Sequence, residues 1–271
     1  MKIKIIIPAR YGSTRFPGKP LAKIRGRTML ERVSMVAHKA AEGHPNTSVT
    51  VATDDKRILC DCNEINVECI MTGQSCATGT DRVAEAVSCM TDKPDYIINL
   101  QGDAPFTPPP VLEKIIKACK GSDPAPVITP VHNLTWDELD RFRENKKTTP
   151  FSGTTAVLDK NMRALWFSKQ IMPAIRKEAE LRHKTVFSPV WRHLGLYAYT
   201  SETLRNFVTL EEGYYEKLEG LEQLRFIENG IAIDCVPVDG EQAGFISTGI
   251  DSPEDLERAN TFLDEQERQR A

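Results

Sequence analysis

The chain has 271 residues, of which 40% are hydrophobic and 27% are charged, and its formal net charge is −3. This length and composition predict a globular protein with one large domain, or one domain with an insertion. The small negative charge excludes a generally basic surface for nucleic acid. The sequence has no long apolar run and no signal-peptide core, and its seven cysteines include no C-x-x-C pair. We therefore expect a cytoplasmic protein with reduced thiols and no membrane partner.

The N-terminal segment, residues 1–19, carries the first functional signal. Its sequence MKIKIIIPARYGSTRFPGK contains an apolar, β-branched run over 3–7, which predicts a short buried strand that ends at Pro8. The loop that follows contains three cations, which are Arg10, Arg15 and Lys19. A strand that leads into such a loop and then into a helix presents amides and positive charge to phosphates. Any single cation here would more often face solvent, but three together predict an anion site.

Two common phosphate-binding motifs are excluded for this loop. Gly12 and Gly18 lie one residue too far apart for a P-loop, and Pro20 stands where that motif has the Ser or Thr that binds magnesium. The G-x-G-x-x-G pattern is absent as well. The loop must therefore belong to another type of anion site.

The first half of the chain alternates between predicted strands and helices. Beyond the first strand, helices are predicted over 28–41, 55–64 and 81–90, and strands over 48–52, 67–71 and 96–100. This order implies an α/β fold with a mostly parallel sheet, in which ligands bind beyond the carboxyl ends of the strands. Three polar clusters fall at such ends: the loop 10–19, Thr53-Asp54-Asp55 and Gln101-Gly102-Asp103.

The second half of the chain has weaker patterns. Residues 121–130 are rich in proline and predict a connection, and the charged residues 136–149 predict a surface excursion. The polar segment 173–188 is interpreted as a mobile flap or as a solvated face. The remaining predictions are strands over 154–158, 165–168, 194–199 and 231–236, and helices over 111–119, over 214–229 and after an N-cap at Ser252.

Two acids at the ends of extended segments are candidate metal ligands. Asp103 follows a buried strand, and Asp251 follows Thr248-Gly249-Ile250. Two rigid carboxylates together with phosphate oxygens form the ligand set that magnesium prefers. Each acid also has an ordinary explanation, Asp103 as a turn residue and Asp251 as part of a helix cap, and their spacing alone does not pair them.

Seven sequence blocks identify a family. They are PARYGSTRFPGKPL, GTDRVAEA, NLQGDAP, ALWFSK, RHLGLYAY, LEGLEQLR and GIDSPEDLERA, in this order. Together they resemble the 3-deoxy-manno-octulosonate (Kdo) cytidylyltransferase family, also called CMP-Kdo synthetases, from Ile5 to Ala259. The resemblance implies a Rossmann-like nucleotide-diphosphosugar transferase fold, CTP and a 2-keto sugar acid as substrates, Mg²⁺ as cofactor, a homodimer and a role in lipopolysaccharide synthesis. It also implies one α/β domain with a nucleotide-binding half (1–130), an acceptor-binding and dimerisation region (131–245) and a metal-ligand turn with a C-terminal helix (246–271).

The resemblance also implies roles for individual residues. The residues implied for nucleotide binding are Pro8, Ala9, Arg10, Ser13, Arg15, Lys19, Thr80, Arg82 and Gln101, with the backbone of Pro8 and Ala9 against the cytosine. Lys19, Arg15 and Asp103 would be catalytic, and Asp103 and Asp251 would bind the metal. The residues implied for acceptor binding are Arg192, His193, Tyr197, Glu222 and Gln223. His193 has an equally good explanation as a buried packing histidine.

Several positions depart from the pattern of the family. Cys76 stands where the family usually has His, Thr78 replaces Ser, and Ala104 replaces the Glu of QGDEP. Residues 150–157 lack the Asn and Lys of the family's N-P-N-x-V-K-V-V stretch. These changes lie mostly where the acceptor is expected, so a different acceptor, such as 8-amino-Kdo, another keto sugar acid or a small phosphonate or carboxylate, is an alternative.

Two further alternatives concern the function itself. A sugar-1-phosphate nucleotidylyltransferase is disfavoured because the loop reads Arg10-Tyr11-Gly12-Ser13-Thr14-Arg15 rather than G-x-G-T-R. A non-catalytic nucleotide-binding relative is disfavoured because Lys19, Asp103 and Asp251 are all present.

Overall fold

The structure of the chain is a computed structural model. It describes residues 1–12, 16–239, 249–250 and 252–270. The chain forms two compact units, one made of Met1–Leu112 with Thr248–Ala271 and the other of Glu113–Ser247.

The first unit contains a parallel sheet. In chain order its elements are β1 (Ile3–Ala9), β2 (Lys23–Ile24), β3 (Arg27–Thr28), α1 (Met29–Ala41), β4 (Thr47–Thr53), α2 (Lys56–Glu64), β5 (Cys69–Met71), α3 (Gly79–Cys89) and β6 (Tyr96–Asn99). The strand order is β5-β4-β1-β6 and every neighbouring pair is parallel, while β2 and β3 form a separate small hairpin. This arrangement confirms the alternation of strands and helices that the sequence predicts.

The strand β1 is central in this sheet. It pairs with β4 along its whole length and with β6 only as far as Ile6, whose partner is Asn99. The continuous apolar run is explained by helices α1 and α3, which both pack against this strand. The strand does not end at Pro8, as the sequence predicts, but continues to Ala9. Pro8 is tolerated because the ladder to β6 has ended before it, so its missing N–H leaves no β6 carbonyl without a partner.

Three polar side chains determine where the helices of this unit begin. Thr28 accepts a hydrogen bond from the backbone of Glu31 at the start of α1, and Asp55 accepts one from Arg57 at the start of α2. Thr78 and Asp81 form a reciprocal capping box at the start of α3. Because such caps satisfy otherwise unpaired backbone amides, these three helices begin within two residues of their predicted starts.

The second unit contains a mixed sheet. Its elements are α4 (Pro109–Cys119), which begins in the first unit, β7 (Val127–Thr135), α5 (Trp136–Thr148), β8 (Thr154–Leu158), β9 (Ala164–Ser168), α6 (Glu178–Arg182), β10 (Phe187–His193), β11 (Tyr197–Thr200), α7 (Ser201–Phe207), α8 (Tyr214–Glu219), α9 (Leu224–Glu228) and β12 (Ile233–Val238). Strand β7 pairs antiparallel with β10 and β11 and parallel with β12, and β8 lies antiparallel between β10 and β9. The α/β class is confirmed, but only the first unit has an all-parallel sheet, and the second unit has a mixed one.

The strand β7 is the main element that the sequence does not predict. It contains Pro130, and a proline normally argues against a central strand. Here the carbonyl of Pro130 accepts a hydrogen bond from the amide of Leu194 at 3.2 Å, and its Cα lies opposite Val236. The predicted proline-rich connection is therefore wrong over the second part of its range.

The charged segment 136–149 forms a helix rather than a surface excursion. Helix α5 begins with a capping box between Thr135 and Glu138. Trp136, Leu139 and Phe142 are buried, and they form a hydrophobic cluster with residues of β7 and β10. The helix is amphipathic, but its few apolar residues are outnumbered by charged ones, which explains why the pattern looked weak.

The segment 173–188 is tied to α5 by ion pairs, and most of its residues are exposed, as a solvated face requires. Glu178 accepts two hydrogen bonds of 2.8 Å from Arg143, and Arg182 donates to Asp140 at 2.6 and 2.9 Å. Hydrogen bonds from Arg143 and Arg182 lower the pKa of Glu178 to about 2. Leu181 packs against the hydrophobic cluster beneath.

The single helix predicted over 214–229 is wrong, because two short helices occupy this range. Helix α8 ends at Gly220, whose φ of +61° terminates the helix in the left-handed conformation. The two helices are joined by a buried ion pair, in which Arg225 donates to Glu216 at 2.6 and 2.8 Å. The side chains of this pair are 10% and 6% exposed.

The C-terminal helix α10 (Pro253–Arg270) begins as the sequence predicts. The hydroxyl of Ser252 accepts a hydrogen bond from the amide of Asp255 at 3.2 Å. Within the ranges that the structure describes, no helix is both long enough and apolar enough to span a bilayer.

The buried pair predicts a specific pattern of stabilities. Arg225→Met should lower the free energy of unfolding by about 3–5 kcal/mol, because it leaves the Glu216 carboxylate buried without a counter-charge. The double variant Glu216→Gln/Arg225→Met should lose clearly less, since no buried charge remains. Urea denaturation followed by circular dichroism gives both values, and equal losses would contradict a buried, charge-dependent pair.

Candidate active site

The carboxyl ends of three parallel strands meet at one edge of the first unit. Ala9 at the end of β1 lies opposite Thr53 of β4, and β6 ends opposite Ile6. The segments that follow these strands contain the three polar clusters that the sequence analysis singled out. The parallel register therefore brings residues that are far apart in sequence to one edge of the sheet.

A close backbone approach at Gly102 shapes this edge. A Cβ atom at this position would lie 2.7 Å from the carbonyl oxygen of Pro8 and 3.7 Å from the side chain of Ile7. Only glycine allows the turn after β6 to pass so near the end of β1. The position of Asp103, the next residue, depends on this contact.

An ion pair between Lys19 and Asp103 lies at the edge. The ammonium of Lys19 donates to a carboxylate oxygen of Asp103 at 2.8 Å, and the two side chains are 15% and 32% exposed. The backbone carbonyl of Asp103 accepts a further hydrogen bond from the amide of Ile250 at 3.0 Å. The carboxylate is thus held by its side chain and its backbone, yet remains open to solvent.

The start of helix α3 packs against the same edge. A Cβ atom on Gly79 would lie 3.4 Å from the ring of Pro8 and 3.8 Å from the amide oxygen of Gln101. Thr80, which is buried, accepts a long hydrogen bond of 3.4 Å from the side chain of Asn99. Pro8, Gly79 and Gln101 therefore lie close together at this edge, and Thr80 is buried next to Gly79.

The guanidinium of Arg82 forms hydrogen bonds with side chains in the interior of the first unit. Arg82 is 3% exposed, and it donates to Thr72 at 2.6 Å and to Asp54 at 3.0 Å. These bonds tie α3 to the ends of β4 and β5. In this structure Arg82 supports the edge from beneath rather than lying on its surface.

Arg10 is placed differently from Arg82. It is exposed, directly after β1, and forms no ion pair with any other residue that the structure describes. Its charge is available to an anion in solution. Arg10 and Lys19 are the two described cations of the loop.

A second group of predicted site residues lies in the second unit. The ring of His193 is 5.3 Å from that of Tyr197, and Nε2 of His193 is 2.9 Å from the hydroxyl of Thr129. Burial, followed by the influence of Tyr199 and Glu222, raises the pKa of Tyr197. His193, Tyr197 and Glu222 therefore form one cluster with neutral rings and a single carboxylate.

Gln223 contributes an unpaired donor beside this cluster. Its side chain is 4% exposed, and its Nε2 has no hydrogen-bond partner among the residues that the structure describes. A buried amide N–H without a partner is destabilising, by about 1–3 kcal/mol. Such a group commonly marks the place where a ligand supplies the missing acceptor.

Comparison with known proteins gives a consistent result. The cytidylyltransferase family model matches residues 4–233. The 3-deoxy-manno-octulosonate cytidylyltransferase of Maricaulis maris is 41% identical over 97% of both chains, and that of Anaeromyxobacter dehalogenans is 40% identical over 96% of this chain and 97% of its own.

A solved structure of a cytidylyltransferase is also similar to this chain. The structure of CMP:2-keto-3-deoxy-manno-octonic acid synthetase complexed with CTP superposes with a TM-score of 0.81 at 31% identity, covering 98% of this chain and 100% of its own. The chain belongs to the 3-deoxy-manno-octulosonate cytidylyltransferase family. The nucleotide-diphosphosugar transferase fold and a CTP-dependent cytidylyltransferase activity, both expected from the sequence, are confirmed.

Not all acceptor residues proposed for this family member converge. Arg192 and His193 are consecutive in β10, so their side chains point to opposite faces of the sheet. Arg192 lies over the ring of Phe142 at 5.0 Å, on the face that α5 covers. The structure therefore separates Arg192 from the group of His193, Tyr197 and Glu222.

Three predicted site residues of the cytidylyltransferase lie outside the described residues. They are Ser13 and Arg15 of the cationic loop and Asp251 of the C-terminal turn. Their implied roles in phosphate binding, catalysis and metal binding stay predictions.

The departure from the family at Cys76 has a structural explanation. The thiol of Cys76 donates to Glu85 at 2.9 Å, and the other oxygen of Glu85 accepts from the amide of Gly73 at 2.6 Å. Burial, with a further contribution from Glu85, raises the pKa of Cys76 to about 11. Cys76 is thus a protonated thiol that anchors a loop, and it is neither a nucleophile nor a metal ligand at neutral pH.

Two lysines near the second group were missed by the sequence analysis. Lys169 ends the ALWFSK block, its amide is bound by Glu219 at 2.8 Å, and burial lowers the pKa of its ammonium. Lys146 of α5 donates to the carbonyls of Ser152 at 2.8 Å and of Lys169 at 2.5 Å. Lys169 lies in the ALWFSK block, so the family resemblance could have indicated it. No sequence pattern connects Lys146 in α5 with the loop at Ser152 or with Lys169.

The family resemblance implies a magnesium ion, which needs oxygen ligands at this edge of the sheet. Asp103 offers oxygen ligands on a fixed backbone, which is the donor type that magnesium prefers. Within the part of the chain that the structure describes, no three potential ligands form a complete metal site. The residues fit a metal that takes one or two carboxylates from the protein and the rest of its ligands from a triphosphate.

Proposed function

We propose that the chain transfers CMP from CTP to Kdo and releases pyrophosphate. The named relatives are cytidylyltransferases for this sugar acid, and the solved relative was obtained with CTP. The observation that carries the proposal is the Lys19–Asp103 pair at the ligand edge of a parallel sheet. A relative that had lost the activity would have little reason to retain this cation and acid in contact.

The phosphates of CTP would be bound by the cationic loop. Arg10 is exposed and Lys19 is held by Asp103, so one cation faces solvent and the other is pre-oriented. Arg15 and Ser13 are proposed to complete this set. Arg82 would act indirectly, because its bonds to Asp54 and Thr72 hold the first turn of α3, where Thr80 is proposed to contact the nucleotide.

The remaining nucleotide contacts would come from the backbone and from Gln101. The backbone of Pro8 and Ala9 forms the end of a central strand, which gives a rigid surface for the cytosine. Gln101 lies between this surface and the start of α3, where it would meet the ribose or the acceptor. These placements remain proposals about how the bound nucleotide is oriented.

Magnesium is the proposed cofactor, with Asp103 and Asp251 as its protein ligands. When bound, it would neutralise charge on the phosphate oxygens. Asp103 then has two duties, because one of its oxygens also orients Lys19. Removing the metal with a chelator is expected to abolish turnover.

The reaction itself is an in-line substitution at phosphorus. The anomeric hydroxyl of the acceptor loses its proton to solvent and forms a bond to the α-phosphorus, while the bond from this phosphorus to the bridging oxygen breaks and pyrophosphate leaves. Negative charge grows on the leaving group, where the ammonium of Lys19 and the guanidinium of Arg10 would stabilise it. The protein's main contribution is to position the two substrates and to neutralise the charge on the phosphates.

The acceptor would bind at the second group. A sugar acid carries many hydroxyl and carboxylate oxygens, any of which would satisfy the buried Nε2 of Gln223. Tyr197, His193 and Glu222 would contact hydroxyl groups, and Lys169 would attract the carboxylate. Arg192 would act on the other face of β10, where it orders the loop that follows α5.

The proposal includes a cytoplasmic homodimer. CTP is a cytoplasmic metabolite, and the second unit exposes apolar side chains on α8. Tyr214, Tyr215 and Leu218 are 69%, 46% and 64% exposed on this one short helix. Apolar side chains grouped in this way are typical of an interface.

Release of pyrophosphate is the test of the proposed function. The purified chain with CTP and Mg²⁺ is expected to release pyrophosphate with Kdo at a kcat/KM of about 10⁴ M⁻¹s⁻¹ or more. 8-Amino-Kdo, sialic acid and a small phosphonate are included in the panel because they represent the alternative acceptors. A reaction without Mg²⁺ and one with UTP are the controls.

The panel of acceptors distinguishes the proposed function from its alternatives. Turnover with 8-amino-Kdo but not with Kdo would show that the acceptor is 8-amino-Kdo and that the cytidylyltransferase activity is correctly assigned. CTP binding without turnover on any acid would favour the non-catalytic relative. Failure to bind CTP would contradict the proposal as a whole.

The dimer is tested by sedimentation velocity. The wild-type chain is expected to sediment as a dimer, and Leu218→Glu should shift it toward the monomer because a charge would be buried in the interface. Lys184→Glu, which changes charge on an exposed residue away from α8, is the matched control. A monomeric wild type, or equal behaviour of both variants, would remove α8 from the interface.

A further inference from the structure

The hydroxyl of Thr129 lies behind the ring of His193. Thr129 is fully buried in β7, and its Oγ1 is 2.9 Å from Nε2 of His193. The same oxygen is 2.8 Å from the carbonyl oxygen of Leu196 and 3.4 Å from that of Leu194. Thr129 thus connects the imidazole to the turn that joins β10 and β11.

The number of protons in this contact fixes the state of the ring. A threonine hydroxyl has one proton to donate and lone pairs that accept. The carbonyl of Leu196 can only accept, so the proton of Thr129 points to it. The oxygen of Thr129 must then accept from His193, which requires the proton of the ring to be on Nε2.

The ring is also neutral. Burial, with a smaller contribution from the cation of Lys169, lowers the pKa of His193 to about 3. A neutral imidazole with its proton on Nε2 has a bare lone pair on Nδ1. No residue that the structure describes forms a hydrogen bond to this Nδ1.

The surroundings of His193 leave Nδ1 available for a ligand. The ring is held between Phe167 at 5.0 Å and Tyr197 at 5.3 Å, which fixes its plane without using Nδ1. The buried donor of Gln223 belongs to the same unit and also has no partner within the described ranges. Within the described ranges, the unit therefore presents an unused acceptor at Nδ1 of His193 and an unused donor at Nε2 of Gln223.

We propose that Thr129 is a positioning residue, which locks His193 as the Nε2–H tautomer so that Nδ1 accepts a hydrogen bond from a hydroxyl group of the acceptor sugar acid. The inference rests on the proposed function, because it takes the second group as the acceptor site. The proposed tautomer would discriminate between hydroxyl and carboxylate groups of the acceptor. A bare Nδ1 attracts a hydroxyl proton and repels a carboxylate oxygen, whereas the other tautomer would do the reverse.

The tautomer is measured directly by nitrogen NMR of the imidazole. The chain has five histidines, and loss of signals in His193→Gln assigns those of His193. In the free wild-type protein we expect a protonated Nε2 and an unprotonated Nδ1, unchanged across neutral pH. Addition of Kdo should shift the Nδ1 signal as its lone pair accepts a hydrogen bond.

Two variants separate the hydroxyl group from the packing. Thr129→Val has nearly the same shape but no hydroxyl, and Thr129→Ser keeps the hydroxyl. For Thr129→Val we expect a mixture of tautomers and a rise of about five- to tenfold in the KM for Kdo, the loss of roughly one hydrogen bond. The KM for CTP should not change, and Thr129→Ser should restore the wild-type tautomer and KM.

Three results would overturn the inference. One is a protonated Nδ1 in the free wild-type protein. Another is an equal rise of both KM values in Thr129→Val, which would indicate general structural damage. The third is an Nε2–H tautomer whose Nδ1 signal does not respond to Kdo that turns over. Absence of turnover with intact tautomer signals would instead count against the proposed function, so the two failures are distinguishable.

Discussion

The parallel pairing of β1 with β4 and β6 is the constraint on which the nucleotide site depends. It makes three segments that are separated by dozens of residues end at one edge, and the same register puts Gly102 against the carbonyl of Pro8 at a distance that no side chain allows. The turn after β6 is therefore fixed by backbone contacts, and Asp103 inherits its position from them. Lys19 completes the arrangement because its ammonium meets this carboxylate from the cationic loop. A cation held in this way needs little reorganisation when a phosphate arrives.

The second unit contains a buried amide that no described residue satisfies. Glu216 and Arg225 form a buried ion pair in this unit, and the ammonium of the partly buried Lys146 is bound to backbone carbonyls. The amide Nε2 of Gln223 has no partner within the described residues, which is also true of the hydroxyl groups of Ser34 and Thr47 in the first unit. Because an unpaired buried group is destabilising, its persistence beside a neutral histidine is best explained by a ligand rich in hydroxyl groups.

The sequence was sufficient for the first unit and for the family, but not for much of the second. Strand and helix periods are local signals, and they predicted the alternation and the ligand edge. The caps that the structure shows at Thr28, Asp55 and Thr78 agree with the helix starts predicted in this way. The strand β7 was missed because Pro130 argues locally against a strand that tertiary pairing nevertheless stabilises. The contact between α8 and α9 depends on the Glu216–Arg225 pair, and the pairing of the buried Arg82 depends on Asp54, which is 28 residues away in sequence. Such long-range contacts leave no mark in a local pattern, and the same is true of Thr129 behind His193.

The most direct test of the account is a double-mutant cycle on Lys19 and Asp103. Lys19→Met, Asp103→Asn and the double variant are compared by kcat/KM for pyrophosphate release from CTP with Kdo, with circular dichroism to confirm the fold. Each single variant is expected to lose about 100-fold or more, and the double variant should lose little beyond the worse single one, because the pair acts as a unit. Losses that multiply independently, or single variants with near wild-type kcat/KM, would contradict the claim that this ion pair is the centre of the active site.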